Sequence, residues 1–335
     1  MILEDIVKKN FSTFAILIFL ISLFFFGVNV PRSFTEKEDI KFTIFTGDGI
    51  EQIGDRLEEE GIIIDSILFT TYAFLNNKHQ SLQAGTYLLN SNMSVSMVLD
   101  KIYKGIVVQE RITIIEGWRA SEIANYLDEF NGLSGDIFLD IVASELPKEL
   151  AILYDKPKSR GLQGYLFPDT YFFNYGFSEE DLILAMLTNL DNRLLPEHRE
   201  EIERRGKTIF EIITMASLIE EEVRSHQDKG MVSDILWRRI EIGMPLQVDA
   251  TIAFITRKRT TRISIKETRI ESPYNTYINR GLPVGPISNP GLKSILAAIY
   301  PIPNDYLFYL SKPTGETVFS RNFQEHIGAK NRYLR

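Results

Sequence analysis

One stretch of the sequence places a carboxylate among apolar side chains with helical spacing. Residues 209–223 read IFEIITMASLIEEEV, and at about 100° per residue most of the apolar positions fall on one face of a helix. Glu220 falls on that face, whereas Glu221 points nearly the opposite way and Glu222 lies to the side. A carboxyl group buried without a partner tends to stay protonated, because burial disfavours the charged form. Glu220 is therefore the first candidate for a general acid.

Each of the three glutamates also has an ordinary structural interpretation. A run of glutamates on a helix is usually a solvated face, which is the expectation for Glu221 and Glu222. Glu220 can instead form a buried salt bridge with an arginine, for which Arg224 one turn later is a candidate. Helix geometry alone leaves the catalytic and the structural interpretation of Glu220 open.

Few other residues are candidates for a catalytic role. Asp249, in the stretch PLQVDATIAFI, either caps a short helix that starts at Ala250 or supplies a second carboxylate. Ser217 lies one turn before Glu220, but no histidine neighbours it in sequence, so a serine nucleophile is weakly supported. Walker, dinucleotide-binding, HExxH and GxSxG motifs are not found.

Composition removes several classes of function. The net charge is 37 − 45 = −8 and no long basic run occurs, which argues against nucleic acid as a partner. The absence of cysteine excludes disulfides, thiolate catalysis and cysteine-based metal sites. The four histidines are scattered without ligand spacing, so we expect neither a metal nor another cofactor.

A single acid suits a particular kind of sugar chemistry. Most glycosidases need two carboxylates, one as the acid and one as nucleophile or base. One acid suffices when the substrate carries its own nucleophile. N-acetylmuramic acid does so, because its 6-hydroxyl can attack the anomeric carbon of the same sugar. Such an intramolecular attack has the entropic advantage of a tethered reactant. Because Asp249 or Glu222 can serve as a second carboxylate, a two-carboxylate hydrolase stays open.

The N-terminus predicts export to the outer side of a membrane. Residues 11–30 carry no charge and are rich in Phe, Ile and Leu. This run has the length of a transmembrane helix. Lys8 and Lys9 precede the run, so residues 1–10 are expected to stay in the cytoplasm. A cleaved signal peptide is the alternative, but the run is long for one and lacks a small-x-small site.

An internal repeat follows a predicted charged linker at 31–40. Residues 42–57 align without gaps with residues 112–127, and each copy reads as a strand, a glycine turn (Gly47, Gly117) and an amphipathic helix. We place a first module at 41–105 and a second domain at 106–335. Near the C-terminus, a hairpin around residues 306–319 and a closing helix capped by Asn322 are predicted.

Several blocks of this sequence together resemble the endolytic murein transglycosylase, or YceG-like, family from the apolar segment to the C-terminus. The blocks are Glu116-Gly117-Trp118, Gly164-Tyr165-Leu166-Phe167-Pro168-Asp169-Thr170-Tyr171, Ala216-Ser217-Leu218-Ile219-Glu220, Leu246-Gln247-Val248-Asp249-Ala250-Thr251, Ser272-Pro273-Tyr274-Asn275-Thr276-Tyr277, Gly281-Leu282-Pro283, Gly285-Pro286-Ile287 and Asn289-Pro290-Gly291.

The resemblance implies a single-pass protein of the bacterial cytoplasmic membrane that cleaves nascent peptidoglycan strands between N-acetylmuramic acid and N-acetylglucosamine. It implies 1,6-anhydro ends, Glu220 as the catalytic acid and base, and cell-wall synthases as candidate partners. The expected fold is α+β, with a transmembrane helix, a small LysM-like module and an α+β catalytic domain whose acid lies on a helix lining a groove. Substrate-binding candidates are Glu222, Gln247, Asp249, Thr251, Tyr274, Asn275 and Thr276.

The main alternative is a non-catalytic, membrane-anchored module that binds glycan and recruits synthases. A muramidase-type hydrolase is the second alternative.

Overall fold

The computed structural model describes residues 2–35, 38–130, 132–144, 150–258 and 263–334, with the backbone alone for residues 2–12. The fold of these residues is α+β, as predicted. The helices are α1 (Ile2–Asn29), α2 (Ile50–Glu59), α3 (Ser66–Leu75), α4 (Val95–Tyr103), α5 (Ala120–Leu127), α6 (Gly135–Ala143), α7 (Glu179–Arg193), α8 (Pro196–Arg204), α9 (Ile209–Glu222), α10 (His226–Glu241), α11 (Asp249–Ile255), α12 (Leu292–Ile299) and α13 (Phe323–Tyr333).

The strands are short and pair in twos: β1 (Ile40–Ile44) with β2 (Gly85–Leu89), β3 (Gln109–Thr113) with β4 (Thr170–Asn174), and β5 (Phe308–Ser311) with β6 (Thr317–Ser320). The chain forms two compact units, Met1–Arg111 with Phe172–Gly176, and Ile112–Tyr171 with Phe177–Arg335. The sequence predicted a boundary after residue 105 and did not predict that 172–176 return to the first unit.

The first unit has the element order β1-α2-α3-β2 followed by α4. β1 and β2 are antiparallel, with Phe42 opposite Tyr87, and both side chains are buried in the core of the unit together with Leu57, Phe69 and Leu99. The predicted strand, glycine turn and helix are present in both repeat copies, since Gly47 (φ 97°) separates β1 from α2 and Gly117 (φ 82°) separates β3 from α5. Both glycines take a left-handed backbone that other residues rarely adopt.

The end of α1 belongs to the core of the first unit. Val28 is fully buried there. The Arg32 guanidinium donates to the carbonyls of Glu58 (3.1 Å) and Ile63 (3.0 Å), and Pro31 forms a β-bridge with Ser94. The start of the predicted 31–40 linker is therefore attached to this unit and is not a free tether.

The predicted transmembrane helix over residues 11–30 overlaps α1. Among the helices of the described part of the chain, none combines the length and the apolar character that crossing a membrane requires.

In the second unit α9 is the central helix. It packs against α8, α10, α11 and α12, and every residue from Ile212 to Ile219 is buried. The sequence predicted an amphipathic helix with one apolar face. The middle of α9 is instead enclosed on all sides, because four helices surround it.

Asn289 has a residue type that often caps helices and it precedes α12, but it does not cap that helix. Gly291 is the N-cap. The buried Asn289 side chain accepts hydrogen bonds from the main-chain N–H of Gly164 (2.7 Å) and Leu166 (3.2 Å) and donates to the Trp118 carbonyl (2.8 Å). It therefore joins three of the sequence blocks into one scaffold.

The C-terminal hairpin and closing helix are confirmed. β5 and β6 pair with Phe308 opposite Ser320. Asn322 caps α13 by accepting from the Glu325 N–H at 3.0 Å.

Candidate active site

The helix α9 brings the glutamate run to its C-terminal end. It starts with a capping box, in which the Thr208 side chain accepts from the Glu211 N–H at 3.1 Å and the Glu211 carboxylate accepts from the Thr208 N–H at 2.9 Å. Val223 follows in extended conformation, so Glu222 is the last helical residue. The end of the helix therefore presents Glu220 and Glu222 to different neighbours.

Glu220 has a full set of partners. Its Oε1 lies 2.9 Å from Lys229 Nζ of α10, and both side chains are nearly buried, with exposures of 9% and 4%. Its Oε2 accepts from the Gly291 N–H (3.0 Å) and the Ser294 hydroxyl (2.6 Å) at the N-terminus of α12. A cation, a hydroxyl and a main-chain N–H occupy both oxygens of the Glu220 carboxyl group. Glu220 thus joins α9, α10 and α12.

Glu220 therefore forms the buried salt bridge that was one of its two predicted roles, but with a different partner. The cation is Lys229 on the following helix, and the suggested Arg224 is exposed. The catalytic role that the resemblance implies for Glu220 stays a prediction.

Glu222 meets the opposite environment. Its carboxyl group is only partly exposed, and its neighbours are the Asp249 carboxyl, the Tyr309 hydroxyl and the Ala250 N–H. Burial, followed by the nearby charge of Asp249, raises the pKa of Glu222 from 4.5 to about 7, although hydrogen bonds from Tyr309 and Ala250 oppose the rise.

Asp249 faces Glu222 from the first turn of α11. The N-cap of that helix is Val248 and has no side-chain cap, so the predicted capping role of Asp249 is wrong. Its Oδ1 accepts a hydrogen bond from the Tyr277 hydroxyl. Burial raises the pKa of Asp249, while the Tyr277 hydrogen bond and the charge of Lys330 act in the other direction.

The remaining substrate-binding candidates divide into two groups. Gln247 is exposed with a left-handed backbone (φ 53°), and Tyr274 is half-buried with its ring 4.8 Å from that of Phe254, so both reach the surface. The buried candidates hold the loops together through hydrogen bonds. Thr276 Oγ1 accepts from the Val248 N–H (3.0 Å) and lies 3.1 Å from the Thr251 hydroxyl, while the Asn275 amide donates to two main-chain carbonyls.

Sequence reasoning missed three residues near Glu222: Arg239, Tyr277 and Tyr309. Tyr277 is the last residue of the SPYNTY block, so its hydroxyl could have been predicted from the sequence as part of the site. Arg239 and Tyr309 carried no signal, because Arg239 lies in none of the sequence blocks and Tyr309 lies in the predicted hairpin. Within the described residues no group of histidines and carboxylates could hold a metal ion.

The site therefore offers a carboxyl group whose pKa is raised by burial, a second carboxyl beside it and two tyrosine hydroxyls. A carboxyl group with a raised pKa is of the kind that general acid and base catalysis uses.

The chain belongs to the YceG-like family, whose sequence profile matches residues 42–332. An endolytic murein transglycosylase of Bacillus subtilis (strain 168) is 32% identical over 316 residues, which cover 91% of this chain and 87% of that protein. One of Streptococcus pneumoniae serotype 2 is 30% identical over 336 residues, which cover 90% of this chain and 61% of that protein.

A crystal structure of a YceG-like protein from Listeria monocytogenes has a similar fold. Its TM-score is 0.59 at 30% identity, and the match covers 88% of this chain and 100% of that one. These comparisons confirm the family resemblance drawn from the sequence blocks.

Proposed function

We propose that this chain is an endolytic murein transglycosylase, a lyase that cleaves peptidoglycan strands internally between N-acetylmuramic acid and N-acetylglucosamine. Family membership supports the reaction class, since the relatives from Bacillus subtilis and Streptococcus pneumoniae carry this name. The observation that carries the proposal is the Glu222 carboxyl group, whose pKa of about 7 suits proton donation at neutral pH.

In the proposed reaction Glu222 acts twice. As acid it donates its proton to the glycosidic oxygen while the bond from that oxygen to C1 of N-acetylmuramic acid breaks. As base it then takes the proton of the 6-hydroxyl, whose oxygen forms the new bond to C1. The products are an N-acetylglucosamine end with a free hydroxyl and a 1,6-anhydro end. No water is consumed, and Glu222 regains its proton.

We assign this role to Glu222, and Glu220, to which the resemblance points, stays the alternative acid. The two carboxyls differ in their partners. Glu220 is held by Lys229, the Gly291 N–H and the Ser294 hydroxyl. Glu222 has a carboxyl neighbour instead of a cation at hydrogen-bond distance, which favours the protonated acid. Gln247 and Tyr274 are the surface residues that we propose to line the glycan site.

A two-carboxylate hydrolase is the second candidate, because Asp249 lies close enough to Glu222 for its charge to raise the pKa of Glu222. In that reaction one carboxylate would activate a water, and the product would be a reducing end. The transglycosylase is favoured by the family match.

We further propose that the first unit is a LysM-like module that binds glycan. Its order β1-α2-α3-β2 with antiparallel outer strands supports this assignment. Residues 1–10 then form the cytoplasmic tail and residues 11–30 a single-pass anchor in the bacterial cytoplasmic membrane. The uncharged sequence and the exposed Phe19 (66%) and Phe26 (67%) support the anchor. Retention of the full chain in membranes washed at high pH tests it, and release into the wash would contradict it.

The experiment that tests the reaction is mass spectrometry of glycan strands digested by the purified full chain. Uncrosslinked strands are cleaved to fragments with anhydro ends, one water lighter than the corresponding reducing ends. Fragments with reducing ends would establish the hydrolase. Strands that are bound without new ends would leave the non-catalytic glycan-binding module as the function.

A further inference from the structure

Arg160 places a positive charge beside the proposed glycan site. The Cβ position of a side chain at residue 285 would lie 3.4 Å from the Tyr274 hydroxyl and 3.9 Å from the Arg160 Cδ. The tip of the Phe210 ring lies 3.8 Å from the same point. Because residue 285 is a glycine, these three groups come together over its main chain. Tyr274 is one of the surface residues proposed to line the glycan site, so Arg160 lies at an edge of that site.

The half-exposed Arg160 guanidinium has no hydrogen-bond or ion-pair partner among the residues that the structure describes. The main chain at this position is held, since the Arg160 carbonyl accepts a hydrogen bond from the Lys156 ammonium. The nearest carboxylate in sequence, Asp155, accepts from the N–H groups of Ile209 and Phe210 at the start of α9. Arg160 therefore combines a fixed main chain with an unpaired charged end.

The position of Arg160 separates it from the glutamates of α9. The segment that begins at Gly285 follows α9 to its acidic end, where the Gly291 N–H donates to Glu220 (3.0 Å). Phe210, beside Arg160, and Glu220 are ten residues apart on α9, which is about 15 Å along the helix axis. Arg160 is therefore placed to hold a part of a long substrate that lies away from the carboxyl groups.

An unpaired guanidinium at this place suits a carboxylate ligand. Its planar fork donates two parallel N–H bonds that match the two oxygens of a carboxylate. Peptidoglycan strands offer carboxylates on the peptide stems of N-acetylmuramic acid, whereas the sugar rings offer hydroxyls and amides. The chain as a whole has a net charge of −8, so the attraction of an acidic stem requires a local cation.

We propose that Arg160 binds a carboxylate of the peptide stem, so that this protein prefers glycan strands that carry stems over bare glycan. The inference rests on the proposed function, because it takes peptidoglycan as the ligand. It does not depend on which glutamate donates the proton, because Arg160 acts on binding of the strand and not on the reacting bond.

The test compares the KM of the full chain for uncrosslinked strands with peptide stems and for the same strands after an amidase has removed the stems. Arg160→Gln removes the guanidinium, and Arg160→Lys keeps the charge without the fork. Lys158→Gln is the matched control, because Lys158 is exposed, lies in the same loop and carries the same charge. The melting temperature is measured for every variant.

We expect the KM of the unmodified chain to be roughly tenfold lower for strands with stems, a difference typical of one charge-assisted hydrogen bond. Arg160→Gln abolishes this preference by raising the KM for strands with stems to that for bare strands. Arg160→Lys keeps part of the preference, since an ammonium attracts a carboxylate but does not form the two parallel bonds. Lys158→Gln keeps the whole preference.

Equal KM values of the unmodified chain for the two kinds of strand would overturn the proposal, as would a preference that survives Arg160→Gln. Loss of the preference in Lys158→Gln would also overturn it, because the effect would then belong to the general charge of the loop. If Arg160→Gln does not fold, strands whose stem carboxylates have been converted to amides decide with the unmodified chain. A KM equal to that for bare strands supports the proposal, and a KM equal to that for untreated strands overturns it.

Binding of a short fragment distinguishes failure of the stem site from failure of the proposed function. A disaccharide of N-acetylglucosamine followed by N-acetylmuramic acid with its stem lacks the bond that the proposed reaction cleaves, so its Kd reports binding alone. If no strand acquires anhydro ends, the proposed reaction fails, but a Kd that rises roughly tenfold in Arg160→Gln still supports the stem site. A Kd that Arg160→Gln leaves unchanged, or a lack of binding, rejects the stem site whatever the reaction.

Discussion

Glu220 and Glu222 lie two residues apart at the end of α9, and their surroundings carry opposite charge. Glu220 meets the Lys229 ammonium and the N-terminus of α12. Glu222 meets the carboxyl of Asp249 and the hydroxyl of Tyr309. The same side chain therefore forms an ion pair in one place and has a raised pKa in the other. The difference arises from partners on other elements, because both residues share one helix.

The strongest test of this difference between Glu220 and Glu222 replaces each glutamate by glutamine in turn, which removes its titratable proton. Glu222→Gln is expected to lower glycan cleavage by roughly 10²–10⁴-fold, since an amide cannot donate and recover a proton. The fold is kept because glutamine resembles the protonated acid in shape. Cleavage is measured by the release of anhydro ends.

The control for Glu222→Gln is its melting temperature together with glycan binding, both of which stay close to those of the unmodified protein. Full cleavage by the folded variant would remove Glu222 from the mechanism.

At the other position we expect a loss of stability. Glu220→Gln leaves the Lys229 ammonium buried without a carboxylate, which costs roughly 3–5 kcal/mol in the free energy of unfolding. Activity per folded molecule is retained. Denaturant unfolding and cleavage assays of the same preparation measure the two quantities.

Lys229→Met added to Glu220→Gln removes the uncompensated cation and is expected to restore part of that stability. A Glu220→Gln protein that is as stable as the unmodified chain but inactive would return the catalytic role to Glu220.

The third expected effect is a pH dependence of stability and activity to which Glu222 contributes. Its pKa is about 7 in the folded chain and near 4.5 when exposed, so the folded state binds more protons between these values. Stability from this group is therefore lost as pH rises from about 4.5 to about 7, and activity declines as pH rises through about 7. Thermal unfolding from pH 4 to 8 measures the first trend.

Glu222→Gln should flatten this stability trend relative to the unmodified chain. Asp249, whose pKa is also raised by burial, contributes in the same direction, so Asp249→Asn should flatten it in part. A slope that is unaffected by Glu222→Gln would show that Glu222 is already ionised at low pH.

The smallest expected effects come from the hydroxyls that contact the two carboxylate sites. Ser294→Ala removes one hydrogen bond to the charged Glu220 and is expected to cost roughly 1.5–3 kcal/mol of stability with activity unchanged. Tyr277→Phe removes the hydrogen bond to Asp249 and is expected to lower kcat severalfold with a smaller loss of stability. Equal effects of the two variants on kcat would contradict the separation of a structural from a catalytic carboxylate.

Much of the local structure followed from the sequence. The Asn322 cap, the C-terminal hairpin and the strand–glycine–helix repeats depend on neighbours within a few residues, and the structure contains them. The position of Asn289 did not follow, because Gly164, Leu166 and Trp118 are far from it along the chain. Helical spacing correctly predicted that Glu220 lies on a buried face of α9. Because four packed helices enclose α9, that face alone did not distinguish a structural from a catalytic carboxylate.

The sequence by itself determined that a run of carboxylates ends a largely apolar helix, that the chain resembles the YceG-like family, and that its elements are α+β. Only the tertiary structure decided which carboxylate receives a cation. Helical periodicity fixes the direction of a side chain from its own helix, whereas protonation depends on charges and donors supplied by other segments. Lys229, Ser294, Asp249 and Tyr309 come from four elements outside α9, and the approach of these elements gives Glu220 its ion pair and sets the surroundings that raise the pKa of Glu222.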